Sequence, residues 1–311
     1  MVSNMLPNAG HPERGSFVRD QAAALAGLPG LDVELHEFAP GVRALLSASV
    51  DLRRRFGGAR FDVVHAHFGL TAWPALTVPC KVRALTVHGT DVTHPRTRLA
   101  TRAVMRRMDL VAAVSPALAA ALPGAWASTA LVLPCGVDLD RFQELPRAQA
   151  RADLGLHPQR PFVLFAADPA RAEKRHDRAL ALARSLDVEL LTLGGVAPER
   201  VPLWVNAANA VLVTSDREGF GLAALEALAC NVPVLATPVG VHPEALAGIH
   251  GTLCEPFDLA RWQAVLEPHL RQADPRVDGR AAATRFGAPA MAQAVQRAWR
   301  SALGDSGQAC G

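Results

Sequence analysis

Glu218-Gly219-Phe220-Gly221 stands between one apolar run, Val211-Leu212-Val213, and another over residues 222–230. The order reads as buried strand, polar loop with two glycines, then helix, and it suits anion binding. Glycines let a backbone approach a ligand closely, and the free N–H groups of a helix's first turn attract negative charge. The 222–230 stretch is apolar on nearly every side, which predicts a buried helix. It still carries Glu226, a carboxylate whose burial is costly unless something hydrogen-bonds to it. A second candidate comes from composition. Of 32 basic residues only Lys81 and Lys174 are lysine. A compact ammonium is not equivalent to a guanidinium, so in Arg171-Ala172-Glu173-Lys174-Arg175 the lysine is the cation to weigh, with chance survival as the plain alternative and Arg175 as a solvent-facing competitor.

Elements must carry these residues. The chain has 311 residues and is 50% hydrophobic, enough for two domains with their own cores. Short strands are expected at 1–6, 31–38, 61–67, 82–88 and 109–115, alternating with helices at 16–26, 42–56, 96–108 and 115–122. Ser16 is placed as a helix N-cap. A connection with a short helix follows around 144–160, then strands at 162–166, 188–193 and 211–213. Helices are expected to end at 186 and to span 202–208, 257–269 and 288–303. This alternation predicts an α/β chain with parallel sheets. His65 and His67 point the same way on their strand and could bind a metal, but no third ligand is near in sequence, and a polar strand end is preferred. Asp138-Leu139-Asp140 has the spacing of a metal motif and sits in the linker. Arg96, Arg98, Arg102, Arg106 and Arg107 make one helix basic, and Arg53-Arg54-Arg55 ends another; solvated faces are the simple reading of both.

The net charge of +3 does not point to nucleic acid. No run of 18 apolar residues predicts a membrane span, and the N-terminus lacks a signal-peptide pattern. Cysteines at 80, 135, 230, 254 and 310 have no CxxC spacing, which suits a reducing cytosol.

The string EGFGLAALEALACNVPVLATPVG, with DVVHAHF, TVHGTD and LVLPCGVDLDRF, resembles the retaining glycosyltransferases of family 4, which have the GT-B fold. The resemblance is most secure over residues 62–251. It implies two Rossmann-like domains facing a cleft. Residues 1–143, with the last helix (288–303) crossing back onto them, would hold the acceptor, and residues 144–287 the nucleotide-sugar donor. It implies that Glu218 lies against the donor sugar, that Glu226 binds the ribose hydroxyls, and that the backbone of Gly219, Phe220, Gly221 and Leu222 meets the diphosphate. Lys174 and Arg171 would hold the leaving diphosphate; Arg171 would stand in for the family's Gly-Arg pair, which this chain lacks. His88 would sit beside the sugar, Gly194 near the base and Gly15 beneath the phosphates, although an ordinary strand-to-helix turn reads equally well for Gly15. Cys135 replaces the asparagine usual in its motif.

The implied reaction is front-face transfer with retention to a hydroxyl of a glycan, a lipid-linked sugar or a small molecule. It has no metal and no cofactor beyond the co-substrate. The implied location is cytoplasmic, with peripheral membrane association through helix 96–108 as a further expectation. The departures at Gly-Arg and Cys135 leave a silent GT-B scaffold as the competing reading. A nucleotide-sugar hydrolase, epimerase or phosphorylase on the same fold is the alternative among enzymes.

Overall fold

The computed structural model describes residues 1–304; Cys310 lies outside them. The chain divides into two units. The first comprises residues 1–8, 14–136 and the chain from 288 onward, and the second residues 9–13 and 137–287. The division thus falls seven residues before the expected 143. Residues 137–143 belong with the second unit because Val137 N donates to Phe286 O at 2.9 Å, and the Arg280 guanidinium donates to Leu139 O and Phe142 O at 2.8 and 2.7 Å.

The first unit is built on a parallel sheet of β1 (Val2–Ser3), β2 (His36–Glu37), β3 (Phe61–His67), β4 (Cys80–Val87), β5 (Leu110–Ala113) and β6 (Leu131–Val132), in the order β2-β1-β3-β4-β5-β6. β1 and β2 are far shorter than the expected 1–6 and 31–38. Ser3 Oγ accepts from Met5 N at 3.2 Å and turns the chain out of the ladder, and β2, at the sheet edge, pairs only with what β1 offers. The helix Ser16–Ala26 starts where expected, but Ser16 does not cap it. Gly15 is the N-cap, at φ 72° and without a side-chain bond. A Cβ there would lie 2.5 Å from Met5 O, so only glycine fits this turn. The final helix, Ala288–Ala302, presents Met291, Ala292, Val295, Ala298 and Trp299 on one face, and they pack with Ala84, Leu110 and Ala112 of the first sheet.

The second unit is built on β7 (Phe162–Phe165), β8 (Glu189–Thr192), β9 (Ala210–Val213), β10 (Val234–Ala236) and β11 (Leu253–Cys254), all parallel, in the order β11-β10-β9-β7-β8. β7 and β9 are buried along their whole length, as expected of strands covered on both faces. Leu182, Trp262 and Leu266 pack against one face. Read from β8, this sheet repeats the order of the first five strands of the other. In each, the winding direction reverses beside the unit's first strand, between β1 and β3 and between β7 and β9. Open α/β sheets bind ligands at the carboxyl ends of strands flanking such a reversal.

Candidate active site

Because β7 and β9 are paired neighbours, the loops leaving their carboxyl ends meet. The first carries Lys174 and the second Glu218. Lys174 Nζ donates to both Glu218 oxygens, at 2.7 and 2.6 Å, and the two side chains are only 14% and 9% exposed. Ser215 Oγ donates to Glu218 Oε1 at 2.7 Å. An ammonium has three N–H groups, so the pair leaves one for a ligand. The loops are stitched together around it. Thr214 Oγ1 lies 3.0 and 2.9 Å from the Lys174 and Arg175 carbonyls. Asp216 N donates to Glu173 O, and the Asp216 carboxylate accepts from Arg175 and Arg178. Arg175 thus faces solvent, as expected, and it also binds Asp177 and ties the two loops together through Asp216. Lys81 makes the contrast, in an exposed pair with Asp62.

Four residues past Glu218 the helix Leu222–Ala229 begins, with Gly221 as N-cap at φ 108°, no capping side chain and no acid in its first turn. Its first N–H groups and its dipole are thus offered to an anion. The segment 237–242 forms the floor of this loop. Val241 N donates to Phe220 O at 2.7 Å and Thr237 Oγ1 to Ser215 O at 2.6 Å. His242, fully buried, donates from Nδ1 to Thr237 O at 2.9 Å, and burial holds its pKa below the ordinary value. A Cβ on Gly221 would come within 2.5 Å of His242 Nε2, and one on Gly240 within 2.2 Å of Phe220 O. Glycine at both positions is what lets the two loops lie so close.

In the first unit, His88 follows the end of β4. Asp91, buried, accepts from the backbone N–H groups of His88, Gly89 and Gly69 at 3.1, 2.9 and 3.2 Å. Burial raises the Asp91 pKa, and those bonds oppose the rise. His88 is partly exposed as a residue, and its ring packs on Phe17 and Phe68, with centroids 5.0 and 4.5 Å away. His67 Nδ1 lies 3.1 Å from His88 Nε2. Burial pushes both His88 and His65 down to about 3, and His67 well below its ordinary value.

Residues 11–141 match the family described as Glycosyltransferase Family 4, and residues 148–284 that described as Glycosyl transferases group 1. A D-inositol 3-phosphate glycosyltransferase of Actinosynnema mirum is 30% identical, across 88% of this chain and 79% of that protein. One from Frankia alni is 30% identical, across 97% and 88%. The chain belongs to glycosyltransferase family 4.

As a family 4 member it is a glycosyltransferase, with the GT-B fold. Among solved structures, sucrose-phosphate synthase of Thermosynechococcus elongatus has a TM-score of 0.71 at 20% identity, covering 98% of this chain and 99% of that one. HepE of Anabaena in complex with UDP and glucose has 0.69 at 17%, covering 96% and 98%.

Within this family 4 chain the remaining site candidates are scattered. Arg171 is half exposed, and its guanidinium is bound to Glu173 Oε1 at 3.0 and 2.7 Å, not to the Lys174–Glu218 pair. Glu226 is half-buried and partnered, four residues along the helix from Leu222. Phe220 is buried, its ring 6.2 Å from Phe286. Gly194 is exposed beside Asp168, 3.4 Å from where its Cβ would be. Gly15 lies at the carboxyl end of β1, the corresponding reversal point of the first sheet. Among the described residues no three His, Cys, Asp or Glu converge as metal ligands. Asp138 instead caps a turn, accepting from Asp140 N and Arg141 N at 3.1 and 3.0 Å. Cys135 is buried, and burial pushes its thiol up to about 12. Sequence reasoning missed Ser215, Asp91, Gly240 and His242. Asp91 ended a quoted motif, but the other three show their purpose only in contacts across loops.

Proposed function

We propose that the chain is a retaining glycosyltransferase that binds a nucleoside diphosphate sugar on its second unit and transfers the sugar to an acceptor hydroxyl held by the first. The Lys174–Glu218 pair beside an uncapped helix N-terminus carries this reading. Breaking a sugar–phosphate bond builds negative charge on the departing diphosphate, and a fixed ammonium with backbone N–H groups stabilises it. Lys174 is the principal cation in this reading, and Arg171 joins it only by leaving Glu173. Glu218, held by Lys174 and Ser215, accepts from hydroxyls of the transferred sugar. Glu226 takes the ribose hydroxyls, and the backbone of Gly219, Phe220, Gly221 and Leu222 the diphosphate. Gly194 leaves room for the base, Gly15 approaches the phosphates, and His88 meets a sugar hydroxyl. The donor's own phosphate accepts the acceptor's proton. Lys174 and the helix N-terminus supply the positive charge, so no metal is needed.

HepE was captured with UDP and glucose, which puts uridine diphosphate sugars first among donors. The relatives' names put inositol phosphate first among acceptors. We place the protein in the cytoplasm, with peripheral attachment to anionic lipid. Among the described residues no helix is long and apolar enough to cross a membrane.

The test is Lys174→Ala on the active substrate pair. Turnover should fall by about 10²–10³-fold, the scale of a lost oxyanion-type donor, with circular dichroism unchanged and with wild-type activity indifferent to EDTA. A folded variant with normal turnover would remove the assigned site. Donor binding to wild type, read by calorimetry, separates the enzyme from a silent scaffold, which would bind none.

A further inference from the structure

Two enclosed histidines beside His88 have no part in the reading above. Trp299 fixes the proton on the first. An indole N–H only donates, and Trp299 Nε1 lies 3.1 Å from His65 Nδ1, so that nitrogen accepts. The His65 proton is therefore on Nε2, which donates to Thr86 Oγ1 at 2.8 Å. His67 stacks on His65, with centroids 4.8 Å apart and planes 19° from parallel. Its Nδ1 meets His88 Nε2 at 3.1 Å, and its own Nε2 is buried without a partner among the described residues.

With both rings neutral, the His67–His88 bond has two wirings. If His88 donates from Nε2, the His67 proton sits on Nε2 as a buried N–H with nothing to receive it. If His67 donates from Nδ1, its Nε2 is only a buried lone pair. In backbones orphaned buried N–H groups are rarer than under-satisfied acceptors, and the same preference applied to the ring favours the second wiring. We propose that His67 donates from Nδ1 to His88 Nε2, holding His88 in its Nδ1–H tautomer so that the exposed side of that ring offers a donor rather than a base. Among the described residues His88 Nδ1 has no hydrogen-bond partner, and it is not one of the enclosed, unpartnered atoms, so a ligand oxygen can reach it. His67 is then a positioning residue, acting through His88. Its effect on turnover rests on the proposed contact between His88 and the sugar; the proton placement does not.

The experiment is two-bond ¹⁵N–¹H correlation NMR on the full chain near pH 7.5, with His67→Asn and His67→Leu variants assayed in parallel. His88 should show a protonated Nδ1 and an unprotonated Nε2 in wild type. His67→Asn, whose amide N–H can replace the donor, should keep that pattern and turnover within a few-fold. His67→Leu should lose the pattern and about tenfold in turnover, the scale of one neutral hydrogen bond. A wild-type His88 protonated on Nε2 overturns the proposal, with no variant required. Loss of the pattern in His67→Leu without loss of turnover leaves the wiring standing and removes His88 from the sugar site.

Discussion

Glu218 is a side chain fixed by its neighbours, and in the proposed site that fixing matters. Its two oxygens are already engaged by Lys174 Nζ and Ser215 Oγ, so the carboxylate's direction is set before any donor arrives, which limits the ordering cost of binding. The backbone that carries it depends on Gly221, and Gly221→Ala is the sharpest local test. The new Cβ would meet His242 Nε2 at 2.5 Å in a backbone conformation that L side chains rarely adopt. Each strained residue of this kind costs on the order of 1–3 kcal/mol. Calorimetry should therefore show donor affinity weakened by about tenfold or more, with partial recovery in Gly221→Ala/His242→Ala as the clash is relieved and the strain remains. Undiminished affinity in Gly221→Ala would mean that the loop does not touch the donor.

At the scale of elements, two exposed helix faces in the first unit bear on the proposed membrane attachment. On the helix Pro95–Met105 and just beyond it, Arg96, Arg98, Arg102, Arg106 and Arg107 are exposed, and none pairs with an acid among the described residues; Leu99 stands among them, 68% exposed. The helix Val42–Phe56 shows Val42, Leu46 and Val50 at successive turns, at 74%, 66% and 50% exposed, with Arg43, Arg53 and Arg54 on the same side. Arginine with apolar side chains is the combination that docks on anionic lipid. Cosedimentation should show binding to vesicles containing phosphatidylglycerol, little to pure phosphatidylcholine, and loss on Arg98→Glu/Arg102→Glu; equal recovery with both vesicles would reject an electrostatic dock.

The helix Val42–Phe56 and the strand β3 were legible residue for residue, because a 3.6-residue period and a short run centred on Val63-Val64 between a glycine-containing turn and Phe68-Gly69 are local signals. The ends of β1 and β2 were not, since a two-residue ladder is decided by a partner strand thirty residues away. Glu218 and Lys174 could be singled out by motif and rarity. That they form an ion pair, with Ser215 as third member and Arg171 turned to Glu173, depends on which strands are neighbours, which no local pattern records.

The whole molecule is two α/β units wound in the same strand order, with the chain's last helix returned to the first. Much of its acid sensitivity should come from the first unit, with His242 of the second acting in the same direction. His65 and His88 are held neutral, with pKa values of about 3 against 6.5 when unfolded. Between those values the unfolded chain binds more protons than the folded one, so stability rises with pH and falls on acidification below 6.5. Each such histidine costs about 1.4 kcal/mol per pH unit in that window, and His67 adds in the same direction. Urea midpoints should drop steeply from pH 7.5 to 5.5, and less steeply in His65→Gln; an unchanged midpoint would mean that these rings are not buried neutral.

The central claim is retaining transfer from a nucleotide sugar, and the stereochemistry of the first product tests it most directly. Given an α-linked uridine diphosphate sugar and an accepted hydroxyl, proton NMR of the product at early times should show an α-linkage, the configuration of the donor. A β-linkage in that first product would contradict the account.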